Sequence, residues 1–443
     1  MIETDPSDVT NRRQHQSALA TQRAPTKGKN HWNLALVSIA VFLLLLIAIA
    51  GNILAPLSPA PTAFFASFSP SPIATQRSIN SKATPLPTLL HQRAEVAYVN
   101  NLISHMSLDD EIGQMIMIGF SETQMDPALA YEIEHFHVGS AIIYAFNIKN
   151  GDQLKTLISS MQSDSSVPLL VATDQEGGSV NRMYTIEGPL SSAFEMGATN
   201  NPNYVKQRGA QDATTLASVG INLNLAPDVD VLNTRSGDIG ARSFGTTPSR
   251  VITMAGAYLD GLQASGKVVG TLKHFPGLGA VPVDPHATLY TLNRGISELN
   301  QVDWAPYRAL IASGDVYAVM STHVVLAAVD PSHPASLSKP VLTGILRNQL
   351  GFNGVIITDG IYMHALSAYS LDQIAVDAVE AGNDIICSTY SIESTAQVIN
   401  AIKSAVASGQ LSKSRIDDSV RRILLLKLLL GLLPAPQFNT SSR

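Results

Sequence analysis

The sequence predicts an α/β fold: a (β/α)8 barrel of the TIM type, preceded by one transmembrane helix and a disordered linker. Short apolar runs rich in β-branched residues recur eight times between helical stretches. The intervals between these runs are long enough for the crossover helices that parallel strands require. Several runs are apolar on both faces, which suits a sheet covered on both sides. Eight such units in about 340 residues are typical of a barrel.

The predicted strands follow one another along the whole C-terminal three quarters of the chain. They are IGQMIMIGF from Ile112, GSAIIYA from Gly139, PLLVATD from Pro168, NLNLAPD from Asn222, VVGTLKH from Val268, YAVMSTH from Tyr317, GVIITDG from Gly354 and DIICST from Asp384. Helices are predicted over residues 202–218, 250–265 and 372–381. A doubly wound open sheet is the alternative architecture. No GxGxxG-type phosphate loop follows the first strand, which disfavours a nucleotide-binding version.

The first quarter of the chain differs in composition from the rest. Residues 1–33 form a polar, basic leader, and the apolar run LALVSIAVFLLLLIAIA begins at Leu34. Residues 34–54 reach the ~20 residues that cross a bilayer, and the basic flank places the N-terminus in the cytoplasm. We therefore predict a single-pass cell-membrane protein whose uncleaved signal anchor leaves the bulk of the chain outside. Cleavage after Ala50, which would make the protein secreted, is the alternative.

Further boundaries follow from composition. Residues 55–93 are rich in Pro, Ser, Ala and Thr and are predicted to be a linker. Residues 94–435 are predicted to form the folded domain, and residues 436–443 a short tail.

Composition and charge exclude several classes of protein. The 443 residues are 45% hydrophobic and 14% charged, which allows a large core and excludes a disordered or fibrous protein. The net charge of −6 gives no basic field for a nucleic-acid partner. Cys387 is the single cysteine, so a disulfide within the chain and a multi-cysteine metal site are excluded. Nothing in the sequence requires a metal or a cofactor.

Polar residues recur where the predicted strands end. Active sites of barrels are built at the C-terminal rim of the strands, and structural residues need not be charged there. The convergence predicts that the domain is an enzyme. The residues at or just past the strand ends are Asp174, Asp228, Lys273, His274, His323 and Asp359.

Four motifs carry a resemblance to a known family. They are DQEGGSVNR from Asp174, DIGARSFG from Asp238, KHFPGLGAVPVDPH from Lys273 and TDGIYM from Thr358. Together they resemble glycoside hydrolase family 3, most closely its single-domain β-N-acetylhexosaminidase branch. The flanking stretches MSLDDEIGQMIMIGF, LAPDVDV and VMSTHVV agree, so the resemblance covers essentially all of the predicted domain.

The resemblance implies which residues are catalytic. Asp359 matches the nucleophile, and a retaining glycosidase needs a carboxylate beneath the anomeric carbon. Asp284 and His286 match the acid/base pair, in which an imidazole of near-neutral pKa gives a proton to the leaving oxygen and then takes one from water. The alternatives are a turn or helix-capping role for Asp359 and a purely structural role for His286.

The resemblance also implies a set of substrate-binding residues, which would hold the hydroxyl and acetamido groups of a terminal sugar. A buried ion network along the rim is the alternative role for these side chains. Glu176 matches no catalytic position of the family, and His323 is expected to support the pocket. The matching residues are Asp174, Arg182, Arg242, Lys273 and His274.

This chain departs from the family pattern at two positions of the catalytic loop. Leu278 stands where the family usually has histidine, which removes a polar neighbour from the loop. Pro285 stands where the family usually has serine, and it restricts Asp284 to an extended backbone. Neither change removes a catalytic group, but both bear on rate and substrate preference.

The leading hypothesis is a retaining, exo-acting β-N-acetylhexosaminidase that removes terminal β-linked N-acetylglucosamine from glycans such as peptidoglycan fragments, with water or phosphate as acceptor. The alternatives are a β-glucosidase or β-xylosidase of the same family and a membrane-tethered sugar-binding module with little turnover. A metal-dependent barrel hydrolase would use His274, His286, His323 and Asp359, but the paired histidines expected after its first strand are missing. The predicted partner is a carbohydrate.

Overall fold

A computed structural model gives the fold and describes residues 86–233, 239–282 and 288–435. Within these residues eight parallel strands form one sheet. In chain order they are β1 (Ile116–Gly119), β2 (Ser140–Ile143), β3 (Leu170–Thr173), β4 (Leu223–Asn224), β5 (Val269–Phe275), β6 (Ala318–Ser321), β7 (Val355–Thr358) and β8 (Ile386–Thr389).

The sheet curves into a barrel because each strand pairs with the next one along the chain, and β8 pairs with β1. A bridge between Ile357 and Ile385 joins β7 to the residue before β8 and completes the circle. An open doubly wound sheet would reverse its strand order at a switch point, and no reversal occurs among the described strands. The predicted (β/α)8 barrel is therefore confirmed.

Helices surround the barrel, and the three predicted ones are observed within three residues of their expected ends. Two short strand pairs, Gln175–Gly177 with Val180–Asn181 and Tyr290–Leu292 with Val324–Leu326, lie outside the barrel sheet. The α-helices described are Leu86–Ile103, Leu108–Gln114, Pro127–Phe136, Gly151–Asp164, Tyr184–Glu187, Ala193–Ala198, Pro202–Val219, Ile239–Arg242, Pro248–Leu262, Ile296–Gln301, Ala305–Ser313, Leu371–Ala381, Ile392–Ser408 and Lys413–Leu429. Short 3₁₀-helices span Ala145–Asn147, Ala335–Leu337 and His364–Leu366, and a π-helix spans Pro340–Gln349.

Local signals set where many helices begin. A side-chain oxygen of the preceding residue accepts a hydrogen bond from a backbone N–H of the first turn, which satisfies a donor that has no partner inside the helix. These N-cap residues include Ser107, Asp126, Asn150, Asn201, Thr247, Ser370, Ser391 and Ser412.

The barrel strands are buried on both faces, as their apolar sequences predict. The outer layer is packed closely enough to require glycine at helix contacts. A methyl group at Gly261 would lie 1.9 Å from the carbonyl oxygen of Lys206, and one at Gly209 would lie 2.3 Å from that of Tyr258. Helices Pro202–Val219 and Pro248–Leu262 therefore pack backbone against backbone on the outside of β4 and β5.

The N-terminal predictions need correction. No helix within the described ranges is long and apolar enough to cross a bilayer. The predicted location in the cell membrane, with the N-terminus in the cytoplasm and the domain outside, is thus contradicted. Residues 34–54, on which it rested, lie outside the described residues. The helix Leu86–Ile103 also begins inside the segment 55–93 that was predicted to be a linker.

Candidate active site

The polar residues predicted at the strand ends do meet at the C-terminal rim of the barrel. Asp174 directly follows β3, Asp359 directly follows β7, and Lys273 and His274 lie near the end of β5. They line one cavity of about 100 Å³ together with Arg182, which follows the hairpin after β3, and Arg242, from the short helix Ile239–Arg242. The volume is well below the roughly 300 Å³ at which pockets for drug-sized ligands begin. Its lining is mostly polar, so it suits a polar ligand.

Asp359 presents a partly exposed carboxylate to this cavity. Its backbone N–H donates to the carbonyl oxygen of Ser321 on β6 at 2.7 Å, which fixes the start of the loop. Its Oδ1 accepts from the backbone N–H of Gly360 at 2.8 Å, and its Oδ2 accepts from Thr322 Oγ1 at 3.2 Å. Hydrogen bonds donated to both oxygens hold the group in one orientation.

Two carboxylates and two cations form a buried network beside Asp359. Lys273 Nζ lies 2.6 Å from Asp174 Oδ1 and 2.6 Å from Glu176 Oε1. Arg242 donates to both oxygens of Glu176 through Nε and Nη2, each at 2.9 Å. Burial alone would raise the pKa of Glu176, but the charges of Arg242 and Lys273 outweigh it and hold that pKa well below its usual range. Glu176 thus contacts both cations of the network. This structural role agrees with the sequence analysis, in which Glu176 matched no catalytic position of the family.

His274 is held as one tautomer. Its Nε2 lies 3.0 Å from Arg242 Nη2, and a guanidinium can only donate, so Nε2 is an acceptor. The proton is therefore on Nδ1, which donates to Asp230 Oδ2 at 2.9 Å. Asp230 also accepts from the backbone N–H of Leu278 at 2.7 Å, which ties the start of the catalytic loop to the barrel. Sequence reasoning missed Asp230, although the motif LAPDVDV that contains it was noted.

Comparison with known proteins decides the family. Residues 107–426 match the profile described as the glycosyl hydrolase family 3 N-terminal domain. The chain belongs to glycosyl hydrolase family 3. A β-hexosaminidase of Nitrosomonas eutropha is 31% identical over 322 residues, which are 70% of this chain and 91% of that protein. The predicted resemblance and the predicted enzyme class, a glycoside hydrolase acting on O-glycosyl bonds, are confirmed.

Solved structures of two related glycosidases, the first described as a family 3 enzyme, share this fold. A β-N-acetylglucosaminidase from Paenibacillus sp. str. FPU-7 is 35% identical with a TM-score of 0.70, and the match covers 76% of this chain and 65% of that one. A β-N-acetylhexosaminidase from Beutenbergia cavernae is 29% identical with a TM-score of 0.66, and the match covers 73% of this chain and 98% of that one.

The remaining predicted site residues fall into two groups in this family 3 hydrolase. Arg182 lies outside the ion network, with its guanidinium 5.9 Å from the centre of the Tyr144 ring, and its Nε has no hydrogen-bond partner among the described residues. Asp284 and His286, with Pro285 between them, lie outside the described residues, so their role remains a prediction.

The hydrogen bonds of His274 and His323 argue against a metal ion at this site. Asp228, Asp230 and His274 offer ligand atoms within 4.8 Å of one another. However, His274 Nδ1 carries the proton and has no lone pair for an ion. His323, another residue of the metal hypothesis, is hydrogen-bonded at both ring nitrogens. Its Nδ1 lies 2.7 Å from Ser336 Oγ, and its Nε2 donates to the carbonyl oxygen of Gly360 at 3.0 Å. His323 thus supports the glycine that follows Asp359, as the sequence suggested.

Replacing Asp228 by asparagine is expected to raise the melting temperature near neutral pH. Burial and the charge of Asp230 raise the pKa of Asp228 well above its usual range, so the folded protein keeps this carboxyl protonated to a higher pH than the unfolded chain does. The unfolded carboxyl ionises near pH 3.8, and stability is therefore lost as the pH rises above that value. Asparagine is neutral at every pH and avoids this loss.

Thermal unfolding between about pH 4 and pH 7 tests this expectation. The melting temperature of Asp228→Asn should exceed that of the wild type at pH 7, and the two should converge towards pH 4. Asp230→Asn serves as the control and should lower the melting temperature, because it weakens the bonds to His274 and Leu278. Equal melting temperatures of Asp228→Asn and wild type at pH 7 would contradict a protonated Asp228.

Proposed function

We propose that this glycoside hydrolase is a retaining, exo-acting β-N-acetylhexosaminidase that releases terminal β-linked N-acetylglucosamine from glycans such as peptidoglycan fragments. One observation carries the proposal: a small cavity holds a partly exposed carboxylate, Asp359, on one side and a cluster of charged donors and acceptors on the other. The names of the related β-hexosaminidase and β-N-acetylglucosaminidase support the choice of sugar. The small volume of the cavity supports exo action, because the interior of a glycan chain would need a longer cleft.

The charged cluster suits the recognition of sugar hydroxyls, which both donate and accept hydrogen bonds. Asp174 offers acceptors, and Arg182 and Arg242 offer donors. The ion pairs of Asp174 and Arg242 hold these two side chains before substrate arrives, so little ordering of them is required on binding. In the proposal the acetamido group is recognised at this cluster and does not act as the nucleophile.

The chemistry proceeds in two displacements. Asp359 attacks the anomeric carbon, the bond to the leaving oxygen breaks, and His286 gives its proton to that oxygen. A covalent glycosyl-enzyme results. His286 then takes a proton from water, the water oxygen attacks the anomeric carbon, and the bond to Asp359 breaks. Two inversions give net retention of the β configuration. Asp284 orients His286 and favours its protonated form.

The function is tested with the purified full-length chain and the p-nitrophenyl β-glycosides of N-acetylglucosamine, glucose and xylose. We expect preferential release from the N-acetylglucosamine substrate, with the β-anomer as the first product seen by NMR. A preference for glucose or xylose would move the enzyme to another branch of the family. Binding of N-acetylglucosamine without release from any substrate would favour a sugar-binding module. Sugar phosphate formed in phosphate buffer would identify phosphate as the acceptor.

A further inference from the structure

The backbone on either side of Asp174 is fixed by contacts with β4 and its continuation. Before Asp174, the carbonyl oxygen of Thr173 accepts from the N–H of Leu225 at 2.8 Å, as in a regular parallel ladder. After Asp174, the side chain of Asn224 takes over. Its Oδ1 accepts from the backbone N–H of Gln175 at 2.9 Å, and its Nδ2 donates to the carbonyl oxygen of Gln175 at 2.9 Å. One side-chain amide thus satisfies both backbone groups of Gln175.

The sequence explains why the backbone after β4 cannot fully satisfy Gln175 by itself. The next donor of the ladder, two residues after Leu225, would be Pro227, which has no N–H. The chain also pairs with β5 at this point, because the N–H of Lys273 donates to the carbonyl oxygen of Pro227 at 3.3 Å. A buried backbone group without a partner is costly. The amide of Asn224 therefore replaces a ladder that the backbone cannot continue.

The orientation of the Asn224 amide is fixed from the outer helices. A backbone N–H can only donate, so Oδ1 faces the N–H of Gln175 and Nδ2 is the donor. Nδ2 also donates to Tyr258 Oη at 3.1 Å, and Tyr258 Oη donates to Asp212 Oδ2 at 2.8 Å. Asn224, Tyr258 and Asp212 are 0%, 1% and 3% exposed, so these hydrogen bonds are shielded from water. A buried chain of hydrogen bonds thus connects two outer helices to the rim of the barrel.

The fixed backbone of Gln175 determines where its two neighbours point. Side chains of an extended backbone alternate between two sides, so Asp174 and Glu176 share one side and Gln175 takes the other. Lys273 Nζ lies 2.6 Å from one oxygen of each carboxylate, whereas Gln175 Nε2 donates to Asn181 Oδ1 at 3.0 Å. The side chain of Asp174 is 15% exposed and that of Glu176 is 3% exposed. Asp174 is therefore the carboxylate of the pair that a ligand reaches more readily.

We infer that Asn224 is a positioning residue for substrate binding. It holds the backbone of Gln175 so that the Asp174 carboxylate lies where a sugar hydroxyl is bound, and Tyr258 keeps the Asn224 amide in place. Asn224 is buried and acts through Asp174. A carboxylate that is held in place before binding loses little freedom when the sugar arrives. The inference rests on the proposed function, because it takes Asp174 to accept a hydrogen bond from the sugar.

A double-mutant cycle between Asn224 and Asp174 tests the inference in the full-length chain. We expect Asn224→Ala to lower kcat/KM for p-nitrophenyl β-N-acetylglucosaminide about tenfold, the scale of a weakened hydrogen bond to a charged group. The loss should lie mainly in KM, because the proposed nucleophile, Asp359, follows a different strand, β7. In Asp174→Ala, which lacks the carboxylate, adding Asn224→Ala should cost less than about twofold. Losses that multiply independently would show that Asn224 acts elsewhere and would overturn the inference.

Asn222→Ala is the matched control, because Asn222 makes similar bonds at the start of β3. Its Oδ1 accepts from the backbone N–H of Val171 at 2.9 Å, and its Nδ2 donates to the carbonyl oxygen of Leu169 at 3.2 Å. The control variant should lower the melting temperature as Asn224→Ala does, since both leave buried backbone groups without a partner. Its kcat/KM should equal that of the wild type. Equal losses of activity in the two variants would reduce the effect to lost stability and overturn the inference.

Tyr258→Phe keeps the inference testable if Asn224→Ala does not fold. This variant retains the ring and removes only the hydroxyl that accepts from Asn224. We expect kcat/KM to fall about threefold, the scale of one neutral hydrogen bond, and again mainly through KM. The loss should disappear in the Asp174→Ala background. A loss that persists there would show that Tyr258 does not act through Asp174, and it would overturn the inference.

Calorimetric binding of N-acetylglucosamine separates this inference from the proposed function. Asn224→Ala should weaken binding about tenfold, and it should change the Kd little in the Asp174→Ala background. A wild type that binds the sugar but cleaves no p-nitrophenyl glycoside would contradict the proposed function, and the cycle in Kd would still decide the inference. A wild type that cleaves the substrate, with a Kd that Asn224→Ala leaves unchanged, would overturn the inference alone.

Discussion

Replacing Asp359 by alanine is expected to lower kcat for p-nitrophenyl β-N-acetylglucosaminide by roughly 10⁵-fold, because the covalent intermediate can no longer form. The fold should survive, since the side chain of Asp359 is partly exposed and lines the cavity. Steady-state kinetics of the full-length variant gives the rate, and circular dichroism checks the fold.

Rescue of the Asp359→Ala variant by azide is a second test of the role of Asp359. The space left by the carboxylate admits a small anion, so azide should restore activity and yield the α-glycosyl azide, a product of single inversion. Asp315→Ala is the control, because Asp315 is exposed and precedes β6, at the opposite end of the barrel. Its activity should equal that of the wild type. A normal rate in Asp359→Ala, or rescue that yields the β-azide, would show that another group is the nucleophile.

Replacing Glu176 by glutamine is expected to lower the free energy of unfolding by about 3–5 kcal/mol, because it leaves Arg242 and Lys273 buried without enough negative charge. The side chains of Lys273 and Glu176 are 1% and 3% exposed, so water cannot take over the lost charge. Urea unfolding at neutral pH measures the loss. Activity should fall as well, since both cations face the cavity.

The stabilisation that Glu176 provides should depend on pH. Its pKa is lowered by folding, so the stabilisation is complete above the unfolded value near pH 4.5 and is lost as the pH falls below it. The difference between wild type and Glu176→Gln should therefore shrink at acidic pH. A difference that is constant with pH would contradict an ionised Glu176.

An exposed ion pair supplies the control. Lys206 and Asp260 lie 3.5 Å apart with side chains 53% and 59% exposed. Asp260→Asn should change the free energy of unfolding by no more than about 1 kcal/mol, as is usual for surface pairs. Similar losses in both variants would show that burial of the network is not the source of its stability.

Much of the fold could be predicted because its signals are local. Apolar runs such as VIIT before Asp359 mark buried parallel strands, and their spacing leaves room for the helices between them. Because active sites of barrels lie at the C-terminal ends of strands, Asp174, Lys273 and Asp359 could be assigned to one cavity. The predicted membrane location is contradicted, because no described helix can cross a bilayer. Residues 34–54, on which that prediction rested, lie outside the described residues.

Other features of the site depend on contacts that no local pattern records. The role of Glu176 required knowing that Arg242, 66 residues away, reaches both of its oxygens. The tautomer of His274 required the same guanidinium on one nitrogen and Asp230 on the other. Single acidic residues at these positions look alike in the sequence, because charge pairing is set by geometry rather than by spacing.

By itself, the sequence determined the barrel, the strand ends that carry the site and the family, because hydrophobic periodicity and the four motifs are properties of short segments. Only the tertiary structure decided how charge is distributed in the site and which residues from distant parts of the chain meet there. Gly119 and Tyr390 are far apart in the chain and meet because β8 pairs with β1 when the barrel closes. Closure is a property of the whole sheet, and no segment of the chain contains it.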